Sequence, residues 1–271
     1  MKTKIYIIGH KSFIQKNLYN FFKKKKLSVK KITFQSIIKS KKKISNSILI
    51  NCSTNKNFYN KKYNIKYDRN FLISKIFKNK NNQFYLISSR QVYEAKLNLT
   101  EDSKLKPISL YGKNCLRSEK NCKMILGDSL NILRVSNVIG LEKRPKNFRQ
   151  SLMSTLIKGI KKNKVVLDKN SHFLKDLLPI NILLKYFYIL VKKQSKNLIL
   201  NVGSGHSMTL ENLYKIMNKK KKSKVNFTNN LKNFDNNYSY KIKKLYALTK
   251  YKINKKEFIK EIYNIKNQYG L

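Results

Sequence analysis

The stretch from Phe84 to Lys120, FYLISSRQVYEAKLNLTEDSKLKPISLYGKNCLRSEK, decides how the chain folds. Its opening run, Phe84 to Ile87, is apolar, too short for a helix and ended abruptly by Ser88 and Ser89, which predicts a buried parallel strand. A polar loop with Thr100, Glu101, Asp102 and Pro107 follows. From Tyr111 onward, Leu116, Arg117, Glu119 and Lys120 recur with the spacing of a helix. Strand and helix would bring Ser89 and Tyr111 to the edge where open α/β sheets bind ligands.

The segments on either side keep the same rhythm. Ile5 to Ile8 predicts a short strand ending at Gly9, followed by a helix carrying Ile14, Leu18, Phe21 and Phe22. Leu27 to Phe34 predicts the second strand and Ile48 to Asn51 the third. Asp68-Arg69-Asn70 opens a helix with Phe71, Ile73, Ile76 and Phe77 that leads back to the Phe84 strand. Beyond Lys120 the pattern gives a strand at Leu130 to Val135, an amphipathic helix at Phe148 to Ile160 and a short strand at Val165 to Leu167. It continues with a packed helix over Leu177 to Val191 and a closing helix at Lys255 to Asn267.

SSRQVY, the acidic loop, the P-x-x-x-YG of Pro107 to Gly112 and the downstream Glu resemble the extended short-chain dehydrogenase/reductases. These are the NAD-dependent epimerases and dehydratases that act on nucleotide sugars, with the pattern SSxxVYG…E…P-x-x-x-YGxxKxxxE. The resemblance implies an α/β chain with a Rossmann-like doubly wound parallel sheet and a smaller C-terminal substrate lobe. Residues 1–140 would form the dinucleotide-binding domain. Residues 141–271 would be mainly the substrate-binding lobe, with segments around 164–205 placed to return to the Rossmann sheet.

In that family the Tyr exchanges a proton with a sugar hydroxyl or carbonyl while a nicotinamide takes or gives hydride, and the Ser bonds the same oxygen. Those positions are Tyr111 and Ser89. A phenol titrates near a pH of about 10, so acting as a base at neutral pH calls for a nearby cation. The family supplies a Lys one helical turn after the Tyr, and here that position is Cys115. Lys113, two residues on, points to roughly the opposite side of the helix. Either another cation substitutes, Arg90 beside Ser89 being the candidate, or the reaction is slow, or the domain binds without turnover.

The family's first turn reads G-x-x-G-F-I-G, with glycines that let backbone approach a pyrophosphate at the helix N-terminus. Here it is GHKSFIQ: Gly9, Phe13 and Ile14 remain, Ser12 is small enough to sit near a phosphate, and Gln15 adds bulk. An ordinary strand-turn-helix with a solvated loop is the alternative. ILINCSTN resembles the segment beneath the cofactor, which puts Asn51, Cys52 and Ser53 at that site, and Asn70 falls at a family Asn, which a plain helix cap explains as well. No Asp or Glu precedes Asp68, whereas NAD binders use a carboxylate near the end of the second strand for the ribose. The cofactor is therefore NAD or NADP, with Lys30 and Lys31 leaning toward NADP.

LRVSNVIG resembles LRxxNVYGP, whose Asn contacts the substrate diphosphate, and this position is Asn137. FLKDLLPIN resembles R-D-F-V-H-V-D-D, with Lys175 keeping the charge of the Arg but not its bidentate fork. Asn201 to Gly205, NVGSG, and the Met208 to Glu211 stretch match the family's next turn and capped helix.

Charge and cysteines bound the remaining classes. The formal net charge is +48, yet only six of the 61 basic residues are Arg and Asn is abundant, a pattern of AT-rich codon usage. A dedicated phosphate or base reader would gather Arg, so specific nucleic-acid binding is not expected, while loose, salt-sensitive polyanion binding is. Cys52, Cys115 and Cys122 lack metal-ligand spacing and form no even framework, which predicts reduced thiols, no metal and a cytoplasmic protein. The N-terminal apolar run is too short for a signal peptide, and no run is long enough to span a bilayer. The resemblance implies a nucleotide-sugar epimerase, dehydratase or reductase of surface-polysaccharide synthesis, as a possible homodimer through the Asp68 and Tyr111 helices. Cys115, Ser12 and Gln15 keep open a binding or regulatory module of the same fold.

Overall fold

Apolar side chains alternate between the two faces of consecutive strands, and this pattern requires helices on both sides of the sheet. The structure, a computed structural model, describes residues 3–10, 12–40, 44–142, 152–168, 172–218, 224–228 and 237–271. In chain order the first half comprises β1 (Lys4–Ile8), α1 (Phe13–Lys24), β2 (Val29–Ile32), α2 (Phe34–Lys39), β3 (Ser47–Asn51), α3 (Asn57–Asn60), α4 (Arg69–Phe77), β4 (Gln83–Ser89), α5 (Leu110–Leu126) and β5 (Leu130–Val135). The second half comprises β6 (Asn137–Ile139), α6 (Leu152–Lys161), β7 (Lys164–Asp168), β8 (Lys175–Pro179), α7 (Ile180–Lys192), β9 (Ile199–Val202), β10 (Ser207–Met208), α8 (Leu210–Asn218), β11 (Lys224–Thr228), α9 (Lys243–Thr249) and α10 (Lys255–Gln268).

The main sheet is parallel throughout, in the order β2-β1-β3-β4-β5-β9. Ile5 and Ile7 of β1, Ile48 and Ile50 of β3 and Tyr85 of β4 enter one apolar cluster with Leu18 and Phe22 of α1 and Leu183 and Phe187 of α7. Tyr6, Ile8, Leu49, Phe84 and Leu86 enter the other, with Ile37 of α2 and Ile73 and Phe77 of α4. Each such fully buried side chain contributes about 1.5–3 kcal/mol. The sheet is therefore doubly wound and Rossmann-like. The chain leaves β1 for β2 on one side and returns to place β3 on the other, so the switch point lies between β1 and β3.

A second group of strands packs at the C-terminal side: β6, β8 and β10 form one small sheet, and β7 pairs with β11 in another. Of the segments around 164–205, β9 joins the main sheet beside β5, whereas β7 and β8 pair elsewhere. Asp176, fully buried, holds this region to the main sheet. Its carboxylate accepts Ser136 Oγ (3.0 Å), Ser204 N (3.0 Å) and Gly205 N (3.2 Å). Gly203 must be glycine here, since a Cβ would stand 2.7 Å from Asp176 Oδ2 and 2.8 Å from Tyr240 Cδ2.

Two expectations need correction. The second strand is shorter than Leu27 to Phe34, because Thr33 Oγ1 accepts Ser36 N at 3.0 Å and starts α2 at Phe34. The packed helix over Leu177 to Val191 begins only at Ile180. Leu177 and Leu178 belong to β8, paired with Asn137 and Val138, and Pro179 separates strand from helix. The amphipathic helix expected from Phe148 runs over Leu152–Lys161, and residues 148–151 lie outside the described residues. Among the described residues no helix is long and apolar enough to cross a membrane.

Replacing Asp176 by Ala strands two buried donors, Ser136 Oγ and Ser204 N, and also frees Gly205 N. The expected loss is about 3 kcal/mol or more in urea unfolding; a loss under about 1 kcal/mol would show that the lobe is held by other contacts.

Candidate active site

Three strand ends form one edge. Gly9 N donates to Ile32 O (2.9 Å) and Cys52 N to Ile8 O (2.8 Å), which sets Gly9, Thr33 and Cys52 side by side at the switch point. Ser12 starts α1 without a side-chain cap, so the first N–H groups of the helix are positioned for an anion. Phe13 turns its ring toward Gly140, whose absent Cβ would lie 2.8 Å from Phe13 Cζ. Ile14 packs against the α1 side of the core. Gln15, in place of a glycine, is buried, and its amide donates to Ile7 O (3.1 Å) and Gly9 O (2.9 Å). The bulk is thus folded inward against β1, and the turn keeps its course.

A chain of buried polar contacts runs from this edge to α5. Asn51 Oδ1 accepts Ser53 N (2.9 Å) and Ser53 Oγ (2.7 Å), and its amide donates to Asn70 Oδ1 (2.6 Å). Asn70 donates to Ser118 Oγ (3.3 Å), and Ser118 donates to Asp68 Oδ1 (3.0 Å). Asp68 also caps α4 through Phe71 N (3.1 Å) and accepts Tyr63 OH (2.7 Å). The cap of this helix is therefore Asp68, which frees Asn70 to bridge β3 and α5. Burial raises the Asp68 carboxyl above its ordinary range, against the hydrogen bonds from Tyr63, Phe71 and Ser118.

Tyr111, in the first turn of α5, stands on a cleft lined also by Ser53, Phe58, Ser88, Cys115 and Ser118. Its ring stacks on Tyr59 (4.7 Å between centroids, 25°) and meets Phe58 edge-on (6.2 Å, 80°). Ser109 caps the helix by accepting Gly112 N (3.0 Å). A Cβ on Gly112 would come 2.1 Å from Gln91 O, so glycine lets α5 start directly against the loop after β4. Cys115 lies one turn on and is buried. Burial pushes its thiol far above the ordinary value; the hydrogen bond with Tyr111 opposes this, while the charges of Glu119 and Asp68 add to it. The position that the family gives to Lys is thus a neutral thiol.

Behind the cleft, Ser88 Oγ hydrogen-bonds Glu119 Oε1. Glu119 in turn pairs with Arg134 Nη2 at 2.8 Å, with both side chains at least 95% buried. Ser89 accepts Gln91 N through Oγ (3.2 Å) at the start of a single turn. Arg90, the candidate cation, stacks on Tyr238: its guanidinium carbon lies 3.5 Å from the ring centroid. Lys175, buried at the start of β8, approaches the same ring at 6.0 Å. Asn137, half-buried, begins β6 beside Leu177.

Sequence reasoning had not assigned roles to Tyr59, Ser118 or Arg134. Arg134 carried a signal, since a charge inside a mostly apolar strand requires a buried partner. Tyr59 carried none, because its contact with Tyr111 depends on how α3 meets α5.

The fold and this edge define a Rossmann-type protein with a cleft at the carboxyl ends of β3 and β4. The chain belongs to the NAD dependent epimerase/dehydratase family, which matches residues 46–203, more than half of its length. No curated protein matches it. Solved structures match nearly the whole chain at low identity, which shows the shared fold. The UDP-N-acetylglucosamine 4-epimerase from Methanobrevibacter ruminantium M1, in complex with UDP-N-acetylmuramic acid, gives a TM-score of 0.80 at 16% identity and covers 99% of each chain. TunA, an NAD dependent NDP-hexosamine 5,6-dehydratase of tunicamycin biosynthesis, gives 0.81 at 15% identity, covering 99% of this chain and 98% of its own. The UDP-glucuronic acid 4-epimerase from Bacillus cereus, in complex with NAD, gives 0.78 at 17%, covering 98% and 99%.

The raised carboxyl of Asp68 sets a pH dependence. A folded value above the unfolded one, about 3.9, stabilises the protein below the unfolded value, and this contribution is lost as pH rises through the folded value. Asp68→Asn removes the titration, so its stability relative to wild type is expected to improve between about pH 4 and pH 7. Urea unfolding of both proteins at the two pH values measures this; a relative decline would contradict the assignment.

Proposed function

We propose that the protein is a nicotinamide-dependent enzyme acting on a nucleotide-linked sugar, with Tyr111 moving the proton. The supporting observation is the place of Tyr111: first turn of α5, on the cleft at the ends of β3 and β4, in a chain of the epimerase/dehydratase family. Several solved relatives of the fold are complexes with NAD or UDP-sugars, among them MoeE5 with UDP-glucose and NAD.

The residues present suit the cofactor. The uncapped start of α1 and the Gly9 turn would receive its diphosphate. Asn51, Cys52 and Ser53 would lie beneath it. When bound, the nicotinamide supplies hydride exchange with a sugar carbon.

The chain's own groups then do the rest. Ser89, which accepts Gln91 N, keeps its hydroxyl proton to donate to the reacting sugar oxygen. Tyr111 gives a proton to that oxygen or takes one from it, and the Tyr59 and Phe58 rings hold its phenol in one orientation. Asn137 and Lys175 would hold the substrate diphosphate, and Arg90 reaches the same side through Tyr238. The buried Asn51–Asn70–Ser118–Asp68 chain fixes α5 relative to β3, and so the distance from Tyr111 to the cofactor edge.

Two measurements test the reading. Titration with NADH and NADPH, followed by nicotinamide fluorescence and thermal stability, is expected to show micromolar binding of at least one; a folded protein that binds neither would sink the mechanism. Tyr111→Phe should then lower turnover of a responsive nucleotide sugar by about 10²–10⁴-fold while cofactor affinity stays within about twofold. Equal turnover in the variant would remove Tyr111 from proton transfer.

A further inference from the structure

The end of β2 is where a dinucleotide's adenosine ribose is read, and its chemistry here is unusual. No Asp or Glu occurs in residues 1–67. Thr33, next after β2, uses its hydroxyl to cap α2. The first carboxylate in the chain, Asp68, is fully buried and its oxygens already accept Phe71 N, Ser118 Oγ and Tyr63 OH. Residues near this end therefore offer no carboxylate to a ribose diol.

They offer a guanidinium instead. Arg69, the first residue of α4, lies across the ring of Phe34, with 4.7 Å from its guanidinium carbon to the ring centroid. Phe34 is the first residue of α2, two positions beyond the end of β2, and Ile32 O is held by Gly9 N of the phosphate turn. Arg69 also lines the cleft that contains Tyr111. Its Nε is shielded from solvent and lacks a hydrogen-bond partner among the described residues. A stacked guanidinium keeps its N–H edge for a planar or tetrahedral anion, and its π-face can accept an adenine.

We propose that Arg69, held against Phe34, receives the 2′-phosphate of a phosphorylated nicotinamide dinucleotide and makes NADPH the preferred cofactor over NADH. The assignment rests on the dinucleotide reading above and sharpens it. It differs from the expectation drawn from Lys30 and Lys31: both are exposed on β2, and Lys31 lies over the Tyr19 ring at 4.4 Å. A Lys would supply charge alone, whereas Arg69 supplies a planar fork.

Binding, read by nicotinamide fluorescence and calorimetry without any sugar, tests the proposal. The whole chain should bind NADPH at least about 10-fold more tightly than NADH, and 2′,5′-ADP more tightly than 5′-AMP. Arg69→Ala should weaken NADPH by about 30-fold or more while NADH changes by less than about threefold. Arg69→Lys should recover part of the preference. Each variant's thermal unfolding is recorded, because a misfolded variant would weaken both dinucleotides alike. If the wild type binds both equally, or a folded Arg69→Ala loses both equally, the proposal fails while the cofactor-dependent function stands. If the wild type binds neither, both fail together.

Discussion

The Glu119–Arg134 pair is the contact on which the site depends. Its two charges come from α5 and β5 and meet at 2.8 Å in the interior. Burial alone would depress the Arg134 guanidinium, yet the hydrogen bonds and charge of Glu119 hold it firmly protonated. A buried pair of this kind adds little net stability over apolar packing, but breaking it by removing one partner costs about 3–5 kcal/mol. Its value lies in what else it binds. Arg134 Nη1 donates to Tyr93 OH (2.7 Å) and Glu101 O (3.3 Å), and Tyr93 OH donates to Asn201 Oδ1 (2.8 Å). One guanidinium thus fixes β5, the acidic loop, β9 and α5 together, and Ser88 on Glu119 carries the connection to the cleft.

This arrangement explains how Cys115 is accommodated. A Lys at that position would be stabilised by the carboxylates on either side of it. Here Asp68 is served by Tyr63, Ser118 and a helix N–H, and Glu119 by Arg134 and Ser88. With both acceptors saturated, a neutral thiol leaves no buried charge unpaired, and α5 packs without the lysine. The substitution is therefore absorbed without cost to the packing of α5.

Much of the main sheet was legible, because parallel strands buried on both faces read as apolar runs ended by small polar residues. Ile5 to Ile8, Ile48 to Asn51 and Phe84 to Ile87 all show this. What escaped was set by single hydrogen bonds: Thr33 on Ser36 N turns Phe34 into a helix, and Pro179 divides Leu177 and Leu178 from Ile180. In the cleft, motif spacing located Tyr111, Cys115 and Ser53, each a short step from a strand end or helix start. It could not locate Tyr59 or Arg69, whose roles arise from the meeting of α3 with α5 and of α2 with α4. Contacts across long sequence separations leave no local period to read.

Three departures from the family pattern, at Gln15, at Cys115 and at the end of β2, share one physical property: each is answered by a neighbouring group. Gln15 turns its amide into β1 and spends both donated hydrogen bonds on Ile7 O and Gly9 O, so the turn beside the α1 N-terminus is shaped as a smaller residue would leave it. Cys115 is matched by saturated carboxylates. The missing carboxylate at the end of β2 is answered by a guanidinium on the neighbouring helix, which reverses the sign of charge at the ribose end. In a chain with a formal net charge of +48 this reversal also aligns the local field with the overall one, and both favour a more anionic ligand at that edge. The scaffold keeps the family's geometry while its local electrostatics differ.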